Sequence, residues 1–124
     1  MKFFPLTLFT LAATFAGTSN AASPLIEGCS NWPAVAQDKA SIQGVMDAGY
    51  CMGYWNGFVA NYRIEEALNP DRNGRRYCLP SGITPVQLAA QTRDWAAANP
   101  KSANDPDVMV AEIVLAANYP CGKK

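Results

Sequence analysis

The chain has 124 residues, with ten Lys and Arg against ten Asp and Glu and no histidine. That length suits one domain, and the balanced charge excludes nucleic acid as a partner, since such binding needs a strong basic excess. The missing histidine removes Cys/His zinc sites, Ser-His-Asp triads and Cys-His dyads together.

Residues 1–21 read as a secretory signal peptide. Lys2 supplies the positive start, Phe3 to Phe15 is mostly apolar, and Ser19 and Ala21 place small residues before a cleavage point after Ala21. The apolar run falls short of the roughly 20 residues that span a bilayer, and no second run of that length follows, so no stable membrane insertion is expected. Cys29 lies too far downstream to be a lipoprotein cysteine. Residues 22–124 then form a single domain, large enough for one modest core. The leader carries Lys2 and no acid, so the mature net charge falls to about −1.

Alanine is abundant and no segment alternates as a strand would, whereas several carry helix punctuation. Pro24 to Cys29 predicts a short helical turn, while Asn31 to Ala36 has no clear pattern. From about Ser41 to Ala67 a long helix is expected: Tyr50, Tyr54, Phe58 and Tyr62 recur every four residues, with Trp55 and Val59 widening the stripe. Gly49, Gly53 and Gly57 form a second row at the same spacing. Each costs a helix interior about 1 kcal/mol relative to alanine, which predicts a helix packed close against that row. A membrane dimerisation face is excluded, because Asn56, Asn61, Arg63, Glu65 and Glu66 interrupt the apolar span.

The stretch Asn69 to Tyr77 is the most polar of the chain. Asn69-Pro70 and Asn73-Gly74 are turn dipeptides, and Arg72, Arg75 and Arg76 make it locally basic. It reads either as a solvated connection or as a recognition loop, since arginine and tyrosine are favoured interface anchors. Arg72, Asn73, Arg75, Arg76 and Tyr77 are therefore the candidate partner-binding residues. A second helix starts at Thr84, where Pro85 fits the first turn and Gln87 completes a capping box; Leu88, Thr92 and Trp95 make one face, and Asn99-Pro100 ends it. A third starts at Asp105-Pro106, with Asp107 favouring its positive end, Val108, Ala111, Val114 and Leu115 as the buried stripe, and Tyr119-Pro120 as the stop. The fold class expected is all-α: a small disulfide-stapled bundle of three main helices plus a short N-terminal helix.

Four cysteines, Cys29, Cys51, Cys78 and Cys121, all lie in the mature part, and an even number in a small exported chain predicts a disulfide framework. Antiparallel packing brings Cys121, at the end of the third helix, back to the level of Cys78 before the second. That favours Cys78–Cys121 and leaves Cys29 for Cys51. The long loop could instead carry Cys78 down to Cys51, which would pair Cys29 with Cys121.

Catalytic groups are not found. Glu65 and Glu66 are neighbours and point about 100° apart on a helix. Asp105 and Asp107 are explained by capping, and Ser81-Gly82 is a turn without a base. There is no C-x-x-C, no phosphate cradle and no metal-spaced carboxylate set, so no catalytic residue, metal or cofactor is expected and the protein is read as a binder, not an enzyme.

The order Gly49-Tyr50-Cys51-Met52-Gly53-Tyr54, Cys78-Leu79-Pro80, Gly82-Ile83-Thr84, Gln87-Leu88, Trp95 and Tyr119-Pro120-Cys121 resembles the Tai/Rap-type family of type VI secretion amidase immunity proteins. Leu25-Ile26-Glu27-Gly28-Cys29 is similar to that family's start, and the likeness runs over nearly the whole mature chain. Two stretches depart from it: Ser30 to Asp47 is longer than usual, and Lys101-Ser102-Ala103-Asn104 replaces an Arg-rich segment between the last two helices. The resemblance implies a small periplasmic helical protein whose partner is a secreted peptidoglycan amidase effector, with self-association into a homo-dimer left open. Two other readings belong to different classes. One is a small periplasmic chaperone or stress-protective protein, which the lack of histidine disfavours as a mild-pH switch. The other is a structural or lipid-contacting module, which requires Trp55 or Trp95 to be exposed.

Overall fold

The computed structural model describes residues 22–71 and 74–122; the expected leader lies outside them. Four helices follow in order: α1 Pro24–Ala36, α2 Ile42–Leu68, α3 Pro85–Ala98 and α4 Asp107–Asn118, with a short 3-10 turn at Pro100–Ser102. No strand occurs among the described residues. The all-α, disulfide-stapled reading stands, with an N-terminal helix longer than expected.

That first helix runs through Pro33, which removes one helical donor. Ser23 caps it, its Oγ accepting from Ile26 N at 3.3 Å. Its end is held by paired bonds, Asp38 N to Val35 O at 3.1 Å and Lys39 N to Ala34 O at 2.9 Å. This is the Schellman pattern, with Asp38 at φ 54° in the left-handed position usually given to glycine. The chain then reverses and α2 runs antiparallel to α1. Gly28 makes this contact possible: a Cβ built there would stand 2.1 Å from Asp47 O. One residue on, Cys29 is bonded to Cys51 across the same contact, with Cα atoms 5.2 Å apart.

Here the glycine expectation is corrected. A Cβ at Gly49, Gly53 or Gly57 would meet nothing within 4 Å, so no helix among the described residues lies on that row. The close approach is made by Gly28, a lone glycine whose spacing carries no pattern.

The aromatic row is shifted as well. Tyr50 is 45% exposed, Tyr54 and Phe58 are half-buried, and the face turned to the core carries Ala48, Cys51, Trp55 and Tyr62. A strict four-residue repeat drifts by about 40° per step around a 3.6-residue helix, so the tyrosines wind from the flank into the core. Trp55 is fully buried against Leu25, Leu88, Val110, Val114 and Leu115, and Trp95 packs partly buried at the edge of this core. Burial of both removes the ground for a lipid-contacting module.

The third helix forms as its residues predict. Thr84 Oγ1 accepts from Gln87 N at 3.3 Å, Gln87 Oε1 accepts from Thr84 N at 2.9 Å, and Leu88, Ala89 and Thr92 are buried. Inside it the Thr92 hydroxyl is satisfied by Leu88 O at 2.8 Å. The fourth differs at its start. Its cap position is Pro106, without a side-chain cap bond, and Asp105 N instead closes a turn onto Ser102 O at 3.0 Å. Val108 is 63% exposed, and Val110 joins Ala111, Val114 and Leu115 in the core. Cys121 meets Cys78 at a Cα separation of 4.9 Å, and Cys78 N donates to Tyr119 O at 2.8 Å beside it. The two disulfides are the pairs favoured from helix geometry.

Candidate functional site

Where α2 ends, the polar loop does not stand free. Arg75 folds back over the helix end: its guanidinium donates to Asn69 O at 2.5 Å and Glu65 O at 3.5 Å, approaches Glu66 at 3.8 Å, and lies 5.6 Å from the Tyr62 ring centre. Glu65 O already accepts from Asn69 N at 2.9 Å, so Arg75 adds a second donor there and a first at Asn69 O, and a cation at the negative end of the helix is favourable. Arg63 holds the other side. It bonds to Glu66 at 2.8 Å, to Leu79 O at 3.4 Å and to Pro80 O, and sits 5.4 Å from the same ring. Tyr62 in turn accepts from Leu79 N at 3.1 Å, which fixes the segment leading to Cys78.

Tyr77 packs between helices. Its ring stacks on Tyr62 at 6.0 Å and lies 6.1 Å from Phe58, while its hydroxyl donates to Glu112 on α4 at 3.0 Å. Burial, then that bond, raises its pKa well above the ordinary phenol value. Arg76, next along, points outward with its side chain 79% exposed and pairs with Glu112 at 3.6 Å. Tyr62, Arg75, Arg76, Tyr77 and Glu112 border a cleft of about 540 Å³ between the end of α2, the loop and α4.

A second knot lies at the other end of the aromatic row. Asp107 accepts from Ser23 Oγ at 2.5 Å, Leu25 N at 3.1 Å and Tyr50 Oη at 2.6 Å, tying the starts of α1 and α4 to the middle of α2. The bond to Asp107, helped by burial and the carboxylate charge, pushes the Tyr50 pKa up to about 12. Tyr54 lies between the two knots, and burial followed by the charges of Asp107 and Glu112 raises its pKa too.

Of the candidate partner-binding residues, Arg75, Arg76 and Tyr77 come together at the cleft, and Arg72 and Asn73 lie outside the described residues. Phe58, read from the sequence only as part of the helix's aromatic row, and Glu112, which that reading passed over, also line it. Nothing local in sequence marks Glu112, because its partner Tyr77 is 35 positions away. Asp107 was assigned to helix capping, whereas it joins three helices. Among the described residues, no cluster of His, Cys, Asp and Glu could hold a metal ion, and no helix is long and apolar enough to cross a membrane. Among the described residues the cleft offers aromatic faces, the outward Arg76 guanidinium and carboxylates.

No curated protein and no solved structure matches this chain. Residues 21–121 match the family model described as Rap1a immunity proteins, so nearly all of the described fold is covered, and the chain belongs to the Rap1a immunity protein family.

Proposed function

We propose that this protein is a periplasmic immunity protein that binds and blocks a cognate peptidoglycan amidase delivered by type VI secretion, without chemistry of its own. The observation that carries the reading is the family match over residues 21–121. A leader at residues 1–21 is part of it: export would place the domain where peptidoglycan is cut and where disulfides persist.

The polar loop is the proposed contact, with Arg72, Asn73, Arg75, Arg76 and Tyr77 as its residues. Their surroundings divide the work. Arg75 and Tyr77 are held by the helix end and by Glu112, so they set the shape of the loop. Arg76 is the reaching residue. Its exposed ion pair is worth at most about 1 kcal/mol, so the guanidinium can turn to a partner carboxylate at little loss. Inhibition then follows from occlusion of the amidase cleft by this loop, whose Arg75 and Tyr77 are tied to α2 and α4.

The test is protection. Cells exporting an amidase to the periplasm should survive when the full-length protein is co-expressed, and should die when residues 1–21 are deleted. Protection by the leaderless chain, or failure of the exported chain to neutralise any amidase encoded in its own genome, would overturn the proposal. Arg76→Ala should weaken binding without lowering the melting temperature.

A further inference from the structure

The ion pair between Arg76 and Glu112 is loose. At 3.6 Å it is longer than the charge-assisted hydrogen bond of about 2.7–2.9 Å, and the Arg76 side chain is largely in solvent while Glu112 is half-buried. Glu112 Oε1 accepts from Tyr77 Oη at 3.0 Å, whereas Oε2 accepts no hydrogen bond from any described residue. A carboxylate offers about four lone-pair sites, so most of the capacity of this one is unused.

The walls beside it suit a cation. Phe58 and Tyr77 both line the cleft, with ring centres 6.1 Å apart and planes tilted by 43°, and Glu65 adds a second carboxylate. Arg75 lines it too, but its charge is answered by Glu66 and by the carbonyls at the end of α2. The neighbouring ring shows what this cluster takes: Arg63 and Arg75 lie 5.4 and 5.6 Å from the centre of Tyr62, inside the roughly 6 Å of a cation–π contact. Among the described residues no cation lies so over Phe58 or Tyr77.

We propose that the cleft receives an arginine side chain of the bound protein, its guanidinium on Glu112 Oε2 and its plane against Phe58 and Tyr77. The inference rests on the loop being a contact surface. Once Arg76 turns to a carboxylate of the bound protein, Glu112 keeps Tyr77 and loses its cation. A half-buried carboxylate without a cation is unfavourable, and the incoming arginine restores the charge at the same place. Arginine suits the site better than lysine, because its planar group is weakly hydrated, stacks on rings and presents paired donors to one carboxylate. The cleft volume of about 540 Å³ holds the guanidinium and its stem. Recognition is then an exchange of partners, one ion pair within the chain giving way to two between chains.

Titration of the purified mature chain with Nα-acetyl-arginine amide, followed by NMR of the Phe58 and Tyr77 rings, tests the cleft without an effector. Weak but saturable shifts are expected at both rings, and none with Nα-acetyl-citrulline amide, which has the shape without the charge. R76A should tighten the arginine probe by about two- to fivefold, the worth of an exposed pair, although the same substitution weakens effector binding. E112Q keeps an acceptor for Tyr77 Oη and should abolish the shifts at an unchanged melting temperature. Shifts that do not saturate, equal binding of the citrulline probe, an R76A variant no tighter than wild type, or binding kept by E112Q would each overturn the proposal. No amidase enters this measurement, so its outcome is separate from that of the protection assay.

Discussion

Adding one methyl group at Gly28 sets two opposing effects against each other. Alanine is the better helix former by about 1 kcal/mol, so in open space the change stabilises. At Gly28 the new Cβ would stand 2.1 Å from Asp47 O, 3.0 Å from Asp47 C and 3.2 Å from Cys51 Cβ. Ordinary contact requires a retreat of more than about 1 Å, and the obstacle is backbone, which cannot rotate aside as a side chain can. The Cys29–Cys51 bond holds the helices together one residue away, so separation is opposed. Overpacking of this kind costs about 1–3 kcal/mol, and the upper end applies here because both helices must shift. The net loss is about 1–2 kcal/mol, which lowers the melting temperature by roughly 4–8 °C for each kcal/mol in a domain of this size. Thermal unfolding followed by far-UV circular dichroism reads the result. Gly49→Ala is the control: nothing within 4 Å opposes its Cβ, so it should unfold at a higher temperature. A Gly28→Ala protein as stable as wild type would refute the close-approach argument.

Reduction should be costly at both disulfides. Their loops of 22 and 43 residues correspond to about 3 and about 4 kcal/mol in the chain-entropy account, and a melting temperature unmoved by a thiol reductant would contradict it. Asp107→Asn should lower the Tyr50 pKa from about 12 toward 10, seen in ultraviolet absorbance. Because that pKa is raised on folding, the associated stability is present below pH 10 and is lost as pH climbs toward about 12; a flat wild-type stability profile through that window would count against the bond. Asp38→Gly should stabilise by up to about 1 kcal/mol, because φ 54° strains a residue with a Cβ; a lower denaturant midpoint would reject the reading of α1's end.

Local signals proved legible where the physics is local. The Thr84–Gln87 capping box acts over three residues, and its bonds are present as the residue types demand. The disulfide pairs were legible because helix length and reversal put Cys121 level with Cys78. Phasing was harder. From Val108 to Ala117 the last helix is apolar nearly all round, so its period does not say which side is buried; the turn at Pro100–Ser102 and the Ser23–Asp107 bond decide in favour of Val110 over Val108. Pro33 hid the second half of α1, because a helix that continues through proline relies on tertiary contacts. The candidate loop was visible by composition, but its division into an inward Arg75 and an outward Arg76 depends on the carbonyls at the end of α2 and on Glu112, which sequence distance conceals.

The pairing of Cys29 with Cys51 and of Cys78 with Cys121 is sequential, with no bond enclosing or crossing the other. For a chain threaded from its N-terminus into an oxidising space, each cysteine meets its native partner in order of emergence. The first bond can close while α3 and α4 are still to arrive, and the second closes once Cys121 follows. If the chain is exported as proposed, oxidation in order of emergence would yield the native connectivity without thiol–disulfide reshuffling.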